Sequence, residues 1–526
     1  MFLLYAIIEL LKRKKEKLYC AFIDLKKAFD TIWRVGLWSK LLKYNIDGKF
    51  FRIIYSMYNG IKSCVRKDGE LSQYFGCDIG VRQGENLSPL LFSLFLNDLE
   101  DYLKLCQCKG ITINAFDFDI YIDIGLTLFV MLYADDTALL TRNEEDLQNM
   151  LNAYNSYCKT WKLTVNVSKT KIIIFGGTKK DYKKVFYLDS FEIENVNEYK
   201  YLGIWFEKSN KFTLCKKHLA QQARKAMFYI LQKSNEYCLS IEYRLKLFDA
   251  IVVPILLYGC EIWGFENINI LENVHIQFLR YLAHVRKSTP VYMLYGEFGR
   301  KPLLLTISLR IICFWARLLT GKTSKLSVQI YQLLFYDYTY CGTQHKWIIH
   351  VRDIFYKLGL NNIWDKQMFN SITRLKALVK QRLSDQFLQN WQSDISKSNK
   401  GLTYRIFKDS LVFETYFNIL DKSLSNIFLR FRIANHFLPI ETGRWSNILY
   451  QNRKCIYCDT NDVGDEFHYL FICTKCSEER HKYIHKYYIN KPNVYKFKQL
   501  FNCKKIGTLK QLCKFIIIIN KQFCSS

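Results

Sequence analysis

Two adjacent carboxylates, Asp135 and Asp136, sit inside the otherwise apolar run Leu126 to Thr141. Apolar flanks around a short polar turn predict a β-hairpin centred on Ala134-Asp135-Asp136. Two like charges about 4 Å apart cost on the order of 4 kcal/mol at an effective dielectric near 20, so a fold that buries the flanks needs cations at the turn. A third carboxylate, Asp24, closes the apolar run Tyr19 to Ile23, and a sheet with these strands side by side would gather all three. An all-oxygen cluster suits magnesium, a hard ion commonly shared with substrate phosphates. An Asp-Asp pair alone is an ordinary solvated turn, so the reading depends on what else the chain carries.

The charge balance narrows the partner. Lysine and arginine total 76 against 48 acidic residues, a net charge of +28 over 526 residues. Phosphate contacts by cations release counterions, which makes a polyanion the natural partner. The 18 cysteines are spread along a long chain and no secretory signal precedes them, so most are expected to be reduced and the protein intracellular. Met1 to Leu11 is apolar but short and is followed by Lys12, Arg13, Lys14 and Lys15, which predicts an amphipathic helix whose packing partner lies upstream of the sequence. No run has the length and apolarity of a membrane span, Phe515 to Ile519 included.

Up to about Phe206 short apolar runs alternate with amphipathic ones, an α/β pattern. Leu18 to Leu25 reads as a buried strand, Lys26 to Tyr44 as a helix, and Leu87 to Leu103 as a helix entered through Ser88-Pro89. From residue 207 to about 445 the pattern is mainly helical, with apolar spacings of three and four in Ile312 to Leu319 and Leu375 to Leu388. Ser393 to Lys400 is polar and reads as a linker, and Arg453 to His485 holds its own cysteine and histidine cluster.

Five segments occur in order: Phe22 to Asp30 (FIDLKKAFD), Gly80 to Pro89 (GVRQGENLSP), Tyr133 to Asp136 (YADD), Asn166 to Thr170 (NVSKT) and Tyr201-Leu202-Gly203. The series resembles the successive motifs of reverse transcriptases, specifically those of LINE-type elements lacking long terminal repeats. Tyr258 to Gly264, Tyr295 to Arg300, Phe431 to His436 and Ile440 to Trp445 extend the resemblance over most of the chain. It implies an α+β fold, a right-hand palm of antiparallel strands backed by helices, with a mainly helical thumb-like region and a small zinc-binding C-terminal module. The corresponding domains are 1–206 for the fingers remnant and palm, 207–330 for the thumb-like region, 331–445 for a helical connection and 446–526 for the zinc module. The implied activity is RNA-directed DNA polymerase, using an RNA template, a DNA primer and deoxynucleotide triphosphates, in the nucleus or cytoplasm.

Matching motif positions carry roles residue by residue. Asp24 and Asp135 would hold two magnesium ions and Asp136 would complete the cluster. Phe29 matches the aromatic gate against a ribose 2′-hydroxyl, with helix packing as its plain structural alternative. Gln83 and Gly84 match the loop along the incoming nucleotide, and Tyr201, Leu202 and Gly203 the turn that supports the primer terminus. Lys169 matches the lysine that neutralises or protonates the leaving pyrophosphate, with Lys171 as a neighbouring competitor. Asp30 is given a structural reason only, as an acid in a helix's first turn, and Glu85 occupies a position read as tolerant. The family has fingers segments and often an endonuclease upstream of the first carboxylate, whereas 23 residues precede Asp24 here. The alternative is therefore a nucleic-acid-binding remnant that does not polymerise.

Cys455, Cys458, His468 and Cys473 follow a C-x2-C-x9-H-x4-C spacing that two short turns can close into a tetrahedron around structural zinc. Cys476, His481 and His485 follow closely and compete for the fourth position. Tyr457, Phe467 and Tyr469 could stack on unpaired bases or form a miniature core.

Overall fold

The apolar run after the lysine-rich turn forms strand β1 (Leu18–Ile23), and all six of its residues are buried. The computed structural model describes residues 1–114, 125–128, 130–133 and 136–524, with backbone alone for 114, 125–127, 132–133 and 523–524. Three further strands, β2 (Val130–Tyr133), β3 (Asp136–Thr141) and β4 (Lys171–Phe175), join β1 in a sheet of order β4-β1-β3-β2. Each pairing is antiparallel. Side chains alternate across a strand, so Tyr19, Ala21 and Ile23 enter one core with Phe92, Phe95, Leu147 and Tyr154 of the helices Ser88–Leu96 and Glu144–Thr160. Phe22, on the opposite face, stacks on Tyr199 with ring centroids 4.6 Å apart. Tyr199 belongs to a hairpin of β5 (Glu198–Tyr201) and β6 (Ile204–Glu207). An antiparallel sheet backed by helices is thus present as the sequence suggested.

The chain divides into two compact units, Met1–Cys215 with Leu318–Ile349, and Lys216–Arg317 with His350–Ser526. Both are interrupted in sequence. The helix Phe2–Arg13 packs in the first unit against the downstream helix Leu326–Tyr340, with Phe2 edge-on to Trp347 at 5.1 Å.

Three predicted elements shift. The helix expected from Lys26 begins only at Arg34 and ends at Lys43, because Lys27 takes a left-handed φ of +47° and its carbonyl accepts the Asp30 and Thr31 amides in a turn. The helix expected over Leu87 to Leu103 stops at Leu96 and resumes at Leu99. The break adjoins Asp98, whose carboxylate accepts bonds from Lys40 and from Tyr157, each at 2.6 Å. The polar stretch from Ser393 is no linker as far as Lys397, because the helix Ile372–Lys397 runs through it, anchored by buried Trp391 and Ile395. Apolar burial at helical spacing outweighs polar composition there.

The second unit is mainly helical and is tied at its centre by a fully buried ion pair. Arg432 donates to both oxygens of Glu297, at 2.9 and 3.1 Å, and both side chains have 0% exposure. The guanidinium also donates to the Phe501 carbonyl at 2.8 Å, and Tyr416 donates its hydroxyl to Glu297 at 2.8 Å. Burial pushes the Glu297 carboxyl up, but Arg432 and Lys408 outweigh it and hold it below the usual range. Removing one member strands a buried charge, whereas an exposed pair such as Lys498–Asp409 is well screened. Arg432→Met is expected to lower stability by about 3–5 kcal/mol and Lys498→Ala by about 1 kcal/mol or less, measured as urea-unfolding midpoints; equal losses would contradict this assignment.

Candidate active site and metal centre

The sheet register places the carboxylates. β1 pairs with β3 from Tyr19 opposite Thr141 to Ile23 opposite Thr137, so one further step sets Asp24 opposite Asp136. Cross-strand partners point to the same face, and Asp24 shares its face with Phe22 by alternation. Tyr199, stacked on Phe22, consequently sits beside both acids. Burial first, then Asp136 and Asp24, push its phenol up to about 12. Asp135 lies outside the described residues.

Asp24 is held by the segment that precedes β4. Asn166 donates its amide nitrogen to Asp24 Oδ2 at 2.9 Å and its backbone N–H to the Asp24 carbonyl at 2.7 Å, while the Asp24 N–H donates to Thr170 Oγ1 at 3.3 Å. Lys169 Nζ lies 3.9 Å from Asp24 Oδ2 on a side chain 70% exposed, free to reach a ligand. Lys171 is engaged elsewhere, in an ion pair with Glu194 at 2.8 Å. A cleft of about 350 Å³ beside Asp24 is lined by Lys26, Lys27, Thr31, Asn166 and Lys169. Asn166, Thr170 and Tyr199 received no role from the sequence, although Asn166 and Thr170 stand inside the fourth of the ordered motifs.

The glutamine-glycine loop is pinned from below. Buried Arg34 donates to the carbonyls of Tyr58 and Gly80 at 2.8 Å, Cys77 at 2.6 Å and Ile79 at 3.1 Å. Gln83 donates to Asp30 Oδ1 at 2.8 Å, so Asp30, which is not in a helix, positions the loop. Glu85 accepts from Arg82 at 2.7 Å and from the Tyr58 hydroxyl at 3.1 Å, which makes the position one of the loop's anchors and not a tolerant one. Phe29 is half-buried in a turn, with its ring 5.0 Å from that of Phe92 and its carbonyl accepting the Val81 N–H at 2.7 Å. Tyr201 and Ile204 close the β5–β6 hairpin around Leu202 and Gly203, at φ +49° and +82°. Positive φ at both central residues gives the turn whose twist matches a tight hairpin.

In the second unit the ligand atoms of Cys455, Cys458, His468 and Cys473 all lie within 4.8 Å of one another. Cys458 Sγ is 3.3 Å from His468 Nε2, and the Cys455 and Cys473 sulfurs are 3.9 Å apart. His468 Nδ1 lies 3.7 Å from Asp462, beyond hydrogen-bond reach, and is buried without a hydrogen-bond partner. Of the competitors, His481 Nδ1 bonds the Ser477 carbonyl and His485 caps a helix by accepting the Tyr487 N–H. Phe467 packs on Phe471 and Phe497, and Tyr469 is fully buried, so both belong to the module's core.

Loop glycines separate two kinds of constraint. A Cβ at Gly80 (φ +79°) would lie 2.4 Å from the Asp30 carbonyl oxygen, whereas one at Gly84 (φ +90°) would meet nothing within 4 Å. Gly84→Ala is expected to cost only backbone strain, about 1–2 kcal/mol, and Gly80→Ala visibly more, because Asp30 is displaced too. Thermal melting of the two variants checks the order.

Residues 2–206 match the family model described as reverse transcriptase (RNA-dependent DNA polymerase). Over 292 residues the chain is 27% identical to the RNA-directed DNA polymerase from mobile element jockey of Drosophila funebris, covering 53% of this chain and 29% of that protein. It is 26% identical over 275 residues to the probable RNA-directed DNA polymerase from transposon X-element of Drosophila melanogaster, covering 50% and 28%. The chain thus spans under a third of the length of these relatives. A solved telomerase from Candida albicans overlays 63% of this chain and 53% of its own at 14% identity and a TM-score of 0.26, too loosely to inform fold or site.

Proposed function

We propose that the chain is an RNA-directed DNA polymerase of the LINE type, extending a primer 3′-hydroxyl along an RNA template with deoxynucleotide triphosphates, a reading supported by the match of residues 2–206 to the reverse transcriptase model and by the likeness to the jockey and X-element polymerases. The observation that supports the reading is the strand register, which ends at Ile23 opposite Thr137 inside the family-matched segment and, extended by one residue, brings Asp24 to Asp136. The proposed architecture is a right-hand palm with a thumb-like helical region, a helical connection and a C-terminal zinc module. No helix among the described residues is long and apolar enough to cross a membrane.

The oxygen donors present fit magnesium: two carboxylates share one face, and the Asn166 amide orients Asp24. Asp24, Asp135 and Asp136 would hold two ions, which supply a lowered pKa at the primer hydroxyl and neutralise the triphosphate. Around them the chain's own groups position the reactants. Gln83, tied to Asp30, and Gly84 present the loop along the nucleotide. Phe29 stands under the ribose, Tyr201, Leu202 and Gly203 support the primer end, and Lys169 swings from Asp24 to the departing pyrophosphate. The sulfur-rich cluster of Cys455, Cys458, His468 and Cys473 fits zinc, a borderline-soft ion.

Primer extension on RNA with magnesium tests the activity: synthesis is expected from the chain and none from Asp135→Ala. If both proteins bind RNA without extending it, the non-polymerising alternative holds instead. Phe29→Val is expected to raise ribonucleotide incorporation at least tenfold relative to deoxynucleotide; an unchanged ratio makes Phe29 a packing residue. Elemental analysis is expected to find one zinc per chain, lost in Cys458→Ser.

A further inference from the structure

The second unit carries two adjoining clefts of about 730 and 670 Å³ that share Tyr281 and His284. None of the residues lining either cleft is acidic. The nearby acids are already committed: Glu236 pairs with Lys233 at 2.7 Å and accepts from Gln232 Nε2 at 3.2 Å, Glu242 pairs with Lys246 at 2.8 Å, Asp421 caps the following helix through the Leu424 N–H, and Glu272 accepts from Tyr295 and from the Leu303 N–H. Cations remain at the edges. Arg280 and Lys287 line the smaller cleft and Lys422 the larger, while Arg430 donates to the His284 carbonyl at 2.7 Å. Burial first, and then Lys422 and Arg430, keep the His284 imidazole below its usual range, which marks the shared wall as electropositive.

The lining is aromatic and amidic. Phe228 and Tyr281 stand edge to face, 5.5 Å between centroids at 85°, and remain 42% and 48% exposed. Large rings left this accessible offer faces to a planar guest. Gln232 and Asn426 line the same cleft, and Asn426 Oδ1 is buried without a hydrogen-bond partner, as is Arg280 Nε in the neighbouring cleft. A buried acceptor costs free energy until a donor meets it. A neutral planar ligand edged with donors and acceptors and carried on an anionic backbone answers all three features. A duplex keeps its base faces stacked inside and offers none to such a cleft.

We propose that the larger cleft holds an unpaired base of single-stranded RNA, stacked on Phe228 or Tyr281 and hydrogen-bonded by Gln232 and Asn426, with flanking phosphates on Lys422, Arg280 and Lys287. Stacking supplies affinity with little sequence preference, and the carboxamides add a preference for a base edge. The site lies in the second unit, outside the family-matched residues 2–206, and rests on the proposed function only in taking RNA as the ligand.

Fluorescence anisotropy of the full chain with a labelled single-stranded RNA and an RNA duplex of equal length tests it. Phe228→Ala and Asn426→Ala are each expected to weaken single-strand binding about tenfold, with duplex affinity within twofold of the parent. Phe228→Tyr should restore the parent value, which separates stacking from folding. Lys422→Gln with Lys287→Gln should flatten the salt dependence of single-strand binding, because fewer counterions are released. Single-strand affinity indifferent to Phe228 and Asn426, or single-strand and duplex affinities falling together, would overturn the site, and the first outcome would point to a protein or small-molecule occupant. A parent chain that binds neither RNA overturns this inference and the polymerase reading together, whereas a parent chain that binds the duplex but not the single strand overturns the cleft alone.

Discussion

Everything proposed for the first unit depends on one backbone constraint, the position of β1 between β3 and β4. A strand bonded on both edges has no freedom to slide, because a shift of one residue would turn Tyr19, Ala21 and Ile23 out of the helical core. That same lock sets where β1 ends, and with it the side on which Asp24 emerges. The side of the sheet that Asp24 takes is therefore set by hydrophobic packing several residues away. The proposed metal site and the core packing both follow from one register.

Around this fixed pair the supporting contacts come from segments distant in sequence. Asn166 and Thr170 hold Asp24 from across the sheet, and Arg34 draws the carbonyls of residues 77, 79 and 80 together beneath the glutamine-glycine loop. In the second unit Arg432 plays a comparable part, drawing Glu297, Glu414 and the Phe501 carbonyl around one charge. His436, four residues on, pairs with Glu466 at 2.8 Å close to the cysteine cluster. The segments Tyr295 to Arg300 and Phe431 to His436 thus meet as halves of one buried polar network, whose members stay because removing any one leaves the others unsolvated.

The sequence made the elements with strong local signals legible. The apolar run of β1 and the C-x2-C spacing each depend on a few neighbouring residues and appear at their expected positions, whereas the turn at Leu202-Gly203 is implied only by the resemblance. What escaped was set by tertiary partners. Lys27 breaks the expected helix through a left-handed backbone that no local propensity favours, and the polar run from Ser393 stays helical because Trp391 and Ile395 are buried. Glu85 looked replaceable because nothing in its neighbourhood reveals that Tyr58 reaches it. Asn166 was in view inside a motif, but its bond to Asp24 spans 142 positions and needs the sheet to exist. The aromatics of the cysteine module show the same limit, since only packing distinguishes the buried Tyr469 from a base-stacking platform.

The central claim is that Asp24 and Asp136 face one another across the sheet closely enough to share a metal. Ferrous iron substituted for magnesium and treated with peroxide cleaves the backbone within reach of its ligands, and mass spectrometry locates the cuts. The account predicts cleavage around residues 23–25 and 134–138 together, suppressed by excess magnesium and lost at both places in Asp136→Asn. Cleavage confined to one of the two segments, or found only near Cys455 to Cys473, would contradict it.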